Sequence, residues 1–468
     1  MKKLFTLLFV VCLSVLLASC GDTSVEMNES SNSQITENVY TDERMLPDGT
    51  PVSDIPDSQG LKYTQVGKKY YVAGRGSCTD RVIVIPNEHN GLPVTAIMDD
   101  AFSGDESLEG IVFGKHLTHI GKDAFAGTDI KYVVFASELK RIGEGAFVNC
   151  RSLETVLIPE GVEVIECRAF YNCQSLKTVV IPESVCEIQR IAFKNCYALE
   201  SIYLTNITTL GDGAFYDCKS LKSISIPDAI TVIPEEAFHG CSSVETLTMG
   251  DGVVEFGYQC FKGCASVKNF KFPSSLKIIR ASALYCFGET KLTLPEGIEQ
   301  IESQVFDNSH NLETVVFPEY FSAEWAYGWF DNCSKLKEIE LPEGIESIDY
   351  MFYKCVSLEK VKLPSTLKAI YDRTFSECHS ITEISIPEGV EYIGNMVFEN
   401  CISLKTITIP ASVTELGESI IYGCSSLESI IFGGTVEQWN SMKRGVYFDY
   451  GTANYTVYCS DGTIEKEN

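Results

Sequence analysis

The sequences AFVNCRSLETVLIP at residues 146–159 and AFYNCQSLKTVVIP at residues 169–182 are nearly identical and begin twenty-three residues apart. A phenylalanine marks the same point of this unit along most of the chain, and we call that point the register position. It is occupied by Phe102, Phe125, Phe147, Phe170, Phe193, Phe215, Phe238, Phe261, Leu284, Phe306, Phe330, Phe352, Phe375, Phe398 and Ile421. The steps of 22 to 24 residues predict a solenoid of fifteen coils, each covered by its neighbours.

The unit that begins at Phe170 indicates how one coil is built. Leu176, Val179 and Ile181 follow at offsets of six, nine and eleven, and Pro182 comes next. The final alternation is typical of a short strand with one buried face. Proline ends the strand because it has no N–H to donate to a ladder. We therefore predict a mostly β fold in which short strands form a parallel ladder. Turns, some of them single helical or 3-10 turns, connect the strands.

The residue two places after the register position is usually asparagine or glycine. These residues tolerate positive φ, so a left-handed corner is predicted there. They are Asn149, Asn172, Asn195, Gly240, Gly263, Asn308, Asn332, Asn400 and Gly423.

Eleven of the nineteen cysteines lie three places after the register position. Equivalent positions in stacked coils lie about 4.8 Å apart, whereas the Cβ atoms of a disulfide lie about 3.8 Å apart. The spacing thus favours a buried ladder of free thiols over disulfides or a zinc site. The sequence leaves open whether Cys78 and Cys459 form bridges. The eleven are Cys150, Cys173, Cys196, Cys218, Cys241, Cys264, Cys333, Cys355, Cys378, Cys401 and Cys424.

The N-terminus has the pattern of an export signal. Lys2 and Lys3 precede a short apolar run, and the following Leu17-Ala18-Ser19-Cys20 resembles the lipobox of bacterial lipoproteins. We predict a signal peptide at residues 1–19, lipidation of Cys20 and a flexible polar tether at residues 20–57. A soluble secreted protein with an incidental cysteine is the alternative.

The charge balance is acidic, with 37 Lys and Arg against 64 Asp and Glu and a net charge of −27. No basic block interrupts it, so binding to nucleic acid is not expected.

The unit AFxxCxSLxxIxIPxxVxxI resembles the BspA-like leucine-rich repeat of bacterial surface proteins. The solenoid would occupy residues 101–432. Tyr70–Gly74 through Val82–Pro86 resembles the family's N-terminal cap, predicted at residues 58–100. Gly434–Asn440 and Tyr458–Gly462 resemble its C-terminal cap, predicted at residues 433–468. The resemblance implies adhesion or recognition of proteins or glycans, and it implies no catalytic residues.

Charged residues on the predicted ladder are one candidate for a ligand site. They lie eight and ten places after the register position. Of three successive strands, the first carries two carboxylates, the second two ammonium groups and the third one carboxylate. The alternative is a solvated face stabilised by pairing, at about 0.2–1 kcal/mol per pair. The residues are Glu338, Glu340, Lys360, Lys362 and Glu383.

The stretch PEYFSAEWAYGWFDNC at residues 318–333 falls in the 24-residue step and is the second candidate. Trp329 replaces the alanine that usually precedes the register residue. An indole does not fit an alanine-sized space unless the coil moves. Either the aromatics pack a local bulge, or some of them project and stack on a sugar or a partner. The candidate residues are Tyr320, Phe321, Trp325, Tyr327 and Trp329.

Catalytic, cofactor and metal sites are not predicted. His116 and His119 have a spacing that a metal could use, but no carboxylate-rich third element accompanies them. The sequence contains no G-x-S-x-G, P-loop, H-E-x-x-H or EF-hand pattern. We therefore predict a non-catalytic, lipid-anchored cell-surface solenoid for adhesion or protein–protein interaction, with a host or neighbouring cell surface as the source of its ligand. The alternative is a surface glycan-binding protein of a polysaccharide-capture system.

Overall fold

A computed structural model describes residues 44–466 of the chain. The predicted signal peptide at residues 1–19 and the lipidation site Cys20 lie outside the described residues. The chain divides into two compact units, one ending at Cys186 and one beginning at Glu187.

The first unit contains a 3-10 helix at Val52–Asp54 and twelve strands within its described residues. These strands are β1 (Lys62–Val66), β2 (Lys69–Gly74), β3 (Val82–Val84), β4 (Glu88–His89), β5 (Leu92–Ile97), β6 (Gly110–Val112), β7 (His119–Ile120), β8 (Tyr132–Val134), β9 (Arg141–Ile142), β10 (Thr155–Leu157), β11 (Val164–Ile165) and β12 (Thr178–Val180).

The second unit contains the helix α1 (Val436–Ser441) and twenty-five strands within its described residues. These strands are β13 (Glu187–Ile188), β14 (Thr209–Leu210), β15 (Ser223–Ile226), β16 (Val232–Ile233), β17 (Thr246–Met249), β18 (Glu255–Phe256), β19 (Ile278–Ile279), β20 (Lys291–Thr293), β21 (Gln300–Ile301), β22 (Thr314–Val316), β23 (Tyr320–Ala323), β24 (Ala326–Tyr327), β25 (Glu338–Glu340), β26 (Glu343–Ile345), β27 (Ser347–Asp349), β28 (Lys360–Lys362), β29 (Ala369–Ile370), β30 (Glu383–Ser385), β31 (Tyr392–Ile393), β32 (Thr406–Ile409), β33 (Glu415–Leu416), β34 (Ser429–Phe432), β35 (Lys443–Arg444), β36 (Thr456–Cys459) and β37 (Gly462–Glu465).

Each coil contributes to two ladders of strands. We call the ladder formed by the predicted L-x-x-V-x-I strands the major ladder, and the ladder of shorter strands before the next register residue the minor ladder. In the first unit the major ladder runs β3-β6-β8-β10-β12, and the minor ladder runs β1-β2-β5-β7-β9-β11. The major-ladder strands pair in parallel, as in Val156 opposite Val179.

The ladders of the second unit are interrupted but keep the same order. The longest stretch of its minor ladder is β24-β27-β29-β31-β33-β35. Its major ladder includes the pair β25-β28 and ends in β30-β32-β34-β36, on which the final strand β37 pairs antiparallel. The predicted parallel β solenoid is therefore confirmed.

Within residues 44–466 the number of coils is about 17, rather than the fifteen that the register residues predict. One additional coil carries β2 and β3, before the first register residue, and another carries β35 and β36, after the last. Ladder pairing uses backbone N–H and C=O groups, which every residue except proline provides in full. A coil can therefore join the stack without the phenylalanine that identifies it in the sequence.

The register residues form the centre of the core. Successive rings stack nearly parallel, with centroid separations of 5.2 Å between Phe125 and Phe147 and 5.4 Å between Phe215 and Phe238. All fifteen register residues are buried, including Leu284 and Ile421. Offset stacking at this separation is favourable for aromatic pairs, so one residue type can be repeated in coil after coil.

The predicted left-handed corners are present two residues after the register position, with φ of 61° at Asn149 and 74° at Gly240. A second left-handed residue lies two places before the register position, and the sequence did not indicate it. Ile191 occupies it with φ of 50°, and its N–H donates to the carbonyl of Asp212 at 2.9 Å. Hydrogen bonding to the next coil thus holds a β-branched residue in a conformation that it rarely adopts.

The cysteines of the ladder are buried and form no disulfides, as predicted. Their thiols also make a contact that the sequence did not indicate. The Sγ of Cys173 donates to the carbonyl oxygen of Phe147 at 3.2 Å, and that of Cys378 donates to the carbonyl oxygen of Phe352 at 3.1 Å. Burial raises the pKa of the Cys150 thiol to about 12, so it stays protonated and able to donate. Cys78 and Cys459 are also free.

Residues 44–57, which the sequence assigns to the tether, include the 3-10 helix. The guanidinium of Arg44 donates to the carbonyl oxygen of Phe113 at 2.5 Å. The boundary between the tether and the predicted N-terminal cap stays a prediction.

We expect Cys378→Ala to lower the free energy of unfolding by about 1–2 kcal/mol, because it removes both a buried group and a donor. Cys378→Ser keeps a donor of similar reach and is expected to cost less. Ser309 already fills this position in another coil, where its hydroxyl donates to the carbonyl of Leu284 at 3.3 Å. Urea unfolding of the two variants measures the difference. Equal losses would show that the thiol hydrogen bond contributes nothing.

Candidate functional site

The charged candidates occupy adjacent strands of the major ladder. Glu338 lies opposite Lys360 and Glu340 lies opposite Lys362 in the pairing of β25 with β28. The Lys362 ammonium forms an ion pair with Glu340. Glu338 and Lys360 form no ion pair among the described residues, although their backbones are paired. The ion pair therefore neutralises the half of this charged face that carries Glu340 and Lys362. The half that carries Glu338 and Lys360 has no ion pair, and we call it the open half.

A shallow depression of about 240 Å³ lies over this open half. Two of its lining residues, Glu338 and Lys360, were candidates from the sequence, and four were missed. The missed residues lie seven or eight places after the register position. Considering the seventh position as well, and the coil of Phe306, would have identified them from the sequence. The lining residues are Glu313, Thr314, Lys337, Glu338, Glu359 and Lys360.

Glu383 is exposed on β30, which pairs with β32 and not with β28. Its backbone partner is Thr406. The structure thus leaves Glu383 outside the sheet that carries the other four charged candidates.

The irregular coil buries two of the five aromatic candidates. Trp329 is fully buried, stacked on Phe317 at 5.8 Å, and Phe321 packs edge-on against it at 5.9 Å. The coil makes room for the indole by forming the additional strand β23, whose pairing with β26 is irregular between Tyr320 and Ala323. A buried ring cannot stack on a surface ligand, so Phe321 and Trp329 serve in packing in this structure.

The other three aromatic candidates are at the surface. Tyr320 is 66% exposed, Trp325 is 61% exposed and Tyr327 is 38% exposed. Trp325 and Tyr327 are the neighbours of Ala326, which is buried on β24. Successive residues of a strand point to opposite faces, so both aromatic side chains point away from the core. The coil therefore packs a bulge with some of its aromatics and projects the others.

Three carboxyl groups near Tyr327 have raised pKa values. Burial, with a smaller contribution from the Asp331 carboxylate, raises the pKa of Asp307 to about 7. Burial raises the pKa of Asp331 to about 6. Burial, together with the Asp372 carboxylate, raises the pKa of Asp349 to about 6. The amide of Asn308 donates to Asp307 at 2.5 Å, which satisfies only part of this buried carboxyl.

Metal-ligating groups are dispersed in the part of the chain that the structure describes. No cluster of three or more His, Cys, Asp or Glu side chains suited to a metal ion occurs in residues 44–466. His119 is exposed, and its Nδ1 lies 2.8 Å from the hydroxyl of Thr118. Over the same residues, no helix has the length and apolar character needed to cross a membrane.

The raised carboxyl pKa values predict that stability increases as the pH falls from about 8 to about 5. In this window the folded state holds protons that an unfolded aspartate, with a pKa of about 3.9, has released. The stabilisation is therefore complete below the unfolded pKa and is lost as the pH rises through 6 to 7. Asp307→Asn should raise stability at pH 8 by on the order of 1–2 kcal/mol, after allowance for solvent screening, and should flatten the pH dependence.

Urea unfolding at pH 5.5 and pH 8 tests this expectation. Asp129→Asn, at an exposed aspartate of the first unit, is the control and should leave the pH dependence unchanged. A pH dependence that Asp307→Asn leaves intact would contradict the assignment of the effect to this group.

A leucine-rich repeat protein from Bacteroides ovatus is 25% identical, with a TM-score of 0.61 over 86% of this chain and 99% of that one. A leucine-rich cell surface protein from Faecalibacterium prausnitzii is 22% identical, with a TM-score of 0.42 over 84% of this chain and 99% of that one. No curated protein matches the chain.

The BspA type leucine rich repeat region family matches residues 95–222, 208–324 and 324–443, with six copies of its repeat. These residues cover most of the chain and include both candidate sites. The same residues form the stacked coils and the two ladders described above. The chain therefore belongs to the BspA type leucine-rich repeat family.

Proposed function

We propose that this protein is exported, anchored by a lipid on Cys20 and exposed at the cell surface, where it acts without catalysis in adhesion or protein–protein interaction. Membership of the BspA type family supports an interaction role. The observation that carries the proposal is the depression on the major ladder, where charged groups face outward without closing into ion pairs.

The charges of this depression favour a protein partner that carries carboxylates and ammonium groups of its own. Among the described residues, neither Lys337 nor Lys360 has a carboxylate oxygen within 4.0 Å of its ammonium nitrogen. Seven places after the register position, successive coils carry Glu313, Lys337 and Glu359, so the charge along this row of the depression alternates in sign. An alternating pattern selects a partner of complementary pattern, because like charges brought together are penalised.

We expect the double charge reversal Lys360→Glu and Lys362→Glu to weaken binding of the protein partner about tenfold or more, mainly by slowing association. The partner is first identified by pull-down with host matrix proteins, and its affinity is then measured by surface plasmon resonance at two salt concentrations. Lys268→Glu is the control, since Lys268 is an exposed lysine of the second unit that lies outside the depression. Unchanged affinity for every captured partner would remove the charged face as a site.

Lipid anchoring predicts that cells incorporate a radiolabelled fatty acid into the full chain and that Cys20→Ser abolishes this incorporation. Two or three acyl chains contribute about 0.8 kcal/mol per buried methylene, so the wild-type protein should sediment with membranes. Cys12→Ser, within the predicted signal peptide, is the matched control and should be labelled normally. Equal labelling of the Cys20 variant would contradict the anchor.

A second candidate function is glycan capture for a polysaccharide-uptake system. The specific observation in its favour is the exposure of Tyr320, Trp325 and Tyr327 in the one irregular coil. Aromatic side chains present a large apolar face at low entropic cost, which suits stacking on a sugar ring. A glycan array, run beside the pull-down, discriminates between the two functions.

A further inference from the structure

The exposed Trp325 is the first of three neighbouring aromatic rings along the minor ladder. Its ring centroid lies 5.8 Å from that of Tyr371, and the Tyr371 centroid lies 5.6 Å from that of Tyr392. The successive ring planes are inclined by 35° and 54°. We call Trp325, Tyr371 and Tyr392 the aromatic platform. Its members come from three different coils, so it is a product of stacking.

Small side chains keep this platform open. The pairing of β24, β27, β29 and β31 places Ser347 and Ala369 in the same row as Trp325 and Tyr392. Trp325 therefore leans across two short side chains to reach Tyr371. Tyr371 is aligned in turn with Gly394 on the next coil, which has no side chain to cover the phenol ring.

Hydrogen-bond acceptors lie beside the rings. Asp349 lies in the same row as Tyr327 and between it and Tyr371. Its Oδ1 is shielded from bulk solvent and accepts no hydrogen bond within residues 44–466. Because the Asp349 side chain as a whole is only partly buried, its carboxylate can accept a hydrogen bond from a hydroxyl donor at the surface. Asp372 on the next coil accepts from the backbone N–H of Asn395 at 2.8 Å.

The cations around the platform are already neutralised. Lys368 pairs with Glu346 at 2.9 Å, and Lys443 pairs with Glu415 at 2.5 Å. Arg373 pairs with Glu399 at 2.9 Å. Asp349 and Asp372 then leave the surroundings of the platform negative, which disfavours phosphates, sulfates and carboxylated sugars.

From these observations we propose that the aromatic platform binds a linear, uncharged oligosaccharide, with consecutive pyranose rings stacked on Trp325, Tyr371 and Tyr392. This inference rests on the second candidate function and assigns its site and ligand class. The centroid separations are close to the advance of one monosaccharide along an extended β-linked chain. A pyranose ring offers an apolar C–H face to an aromatic ring and hydroxyl donors to Asp349, so one ligand satisfies both features of the surface.

Trp325 provides a direct signal for this site. The chain has three tryptophans, and the other two, Trp329 and Trp439, are buried. Acrylamide quenching of the native protein therefore reports chiefly on Trp325. We expect cellohexaose, xylohexaose or mannohexaose to protect Trp325 from quenching and to shift its emission, whereas hexagalacturonate does neither.

Isothermal titration calorimetry with the same four probes measures the contribution of each ring. Tyr371→Ala and Tyr392→Ala should each weaken binding of the neutral probe about tenfold or more, as expected for an aromatic anchor. Tyr203→Ala, at an exposed tyrosine remote in sequence from the platform, is the control and should bind as the wild type does. Unchanged thermal unfolding of each variant establishes that the fold is intact.

The possible outcomes separate this inference from the function on which it rests. If none of the neutral probes binds and only protein partners are captured, both the glycan function and the platform are wrong. If a neutral probe binds but is lost only on Tyr320→Ala, the glycan function stands and the platform is wrong. Equal binding of hexagalacturonate and the neutral probes would overturn the assignment of an uncharged ligand.

Discussion

The carbonyl group of most register residues accepts a hydrogen bond from a side chain of the following coil, and the structure depends on how that oxygen is satisfied. The carbonyl of Phe147 accepts a hydrogen bond from the N–H of Cys150 in its own coil and from the thiol of Cys173 in the next coil. One interaction therefore links the corner of a coil to its neighbour and fixes the small residue that fills the space. Its repetition, together with the stacked phenylalanine rings, explains why a cysteine recurs in a chain whose described cysteines form no disulfides.

Because a coil is held by its neighbours on both sides, it tolerates local departures from the repeat. The irregular coil between Phe306 and Phe330 replaces an alanine by Trp329 and compensates with an additional strand at Tyr320–Ala323. The indole enters the core, and the same rearrangement turns Trp325 outward. The substitution of a core position is thus accompanied by three exposed aromatic side chains, Tyr320, Trp325 and Tyr327, on the same coil.

The two candidate surfaces of the second unit rest on different physical interactions. The depression on the major ladder is formed by charges of both signs, none of which forms an ion pair among the described residues. The aromatic platform on the minor ladder is formed by rings, small residues and carboxylates whose neighbouring cations are neutralised. Protein recognition suits the first surface and saccharide recognition suits the second, since charge pattern selects a protein partner and apolar stacking selects a sugar ring.

The sequence by itself determined the period, the register residues, the strand that ends in proline, the corner at Asn149 and its equivalents, and the free thiols. These features follow from local chemistry that recurs in every unit. Only the tertiary structure decided that Ile191 adopts a left-handed conformation, that Phe321 and Trp329 are buried, and that Tyr371 lies between Trp325 and Tyr392. Each of these depends on how one coil meets another, and side chains far apart in sequence become neighbours only when the ladder sets their register.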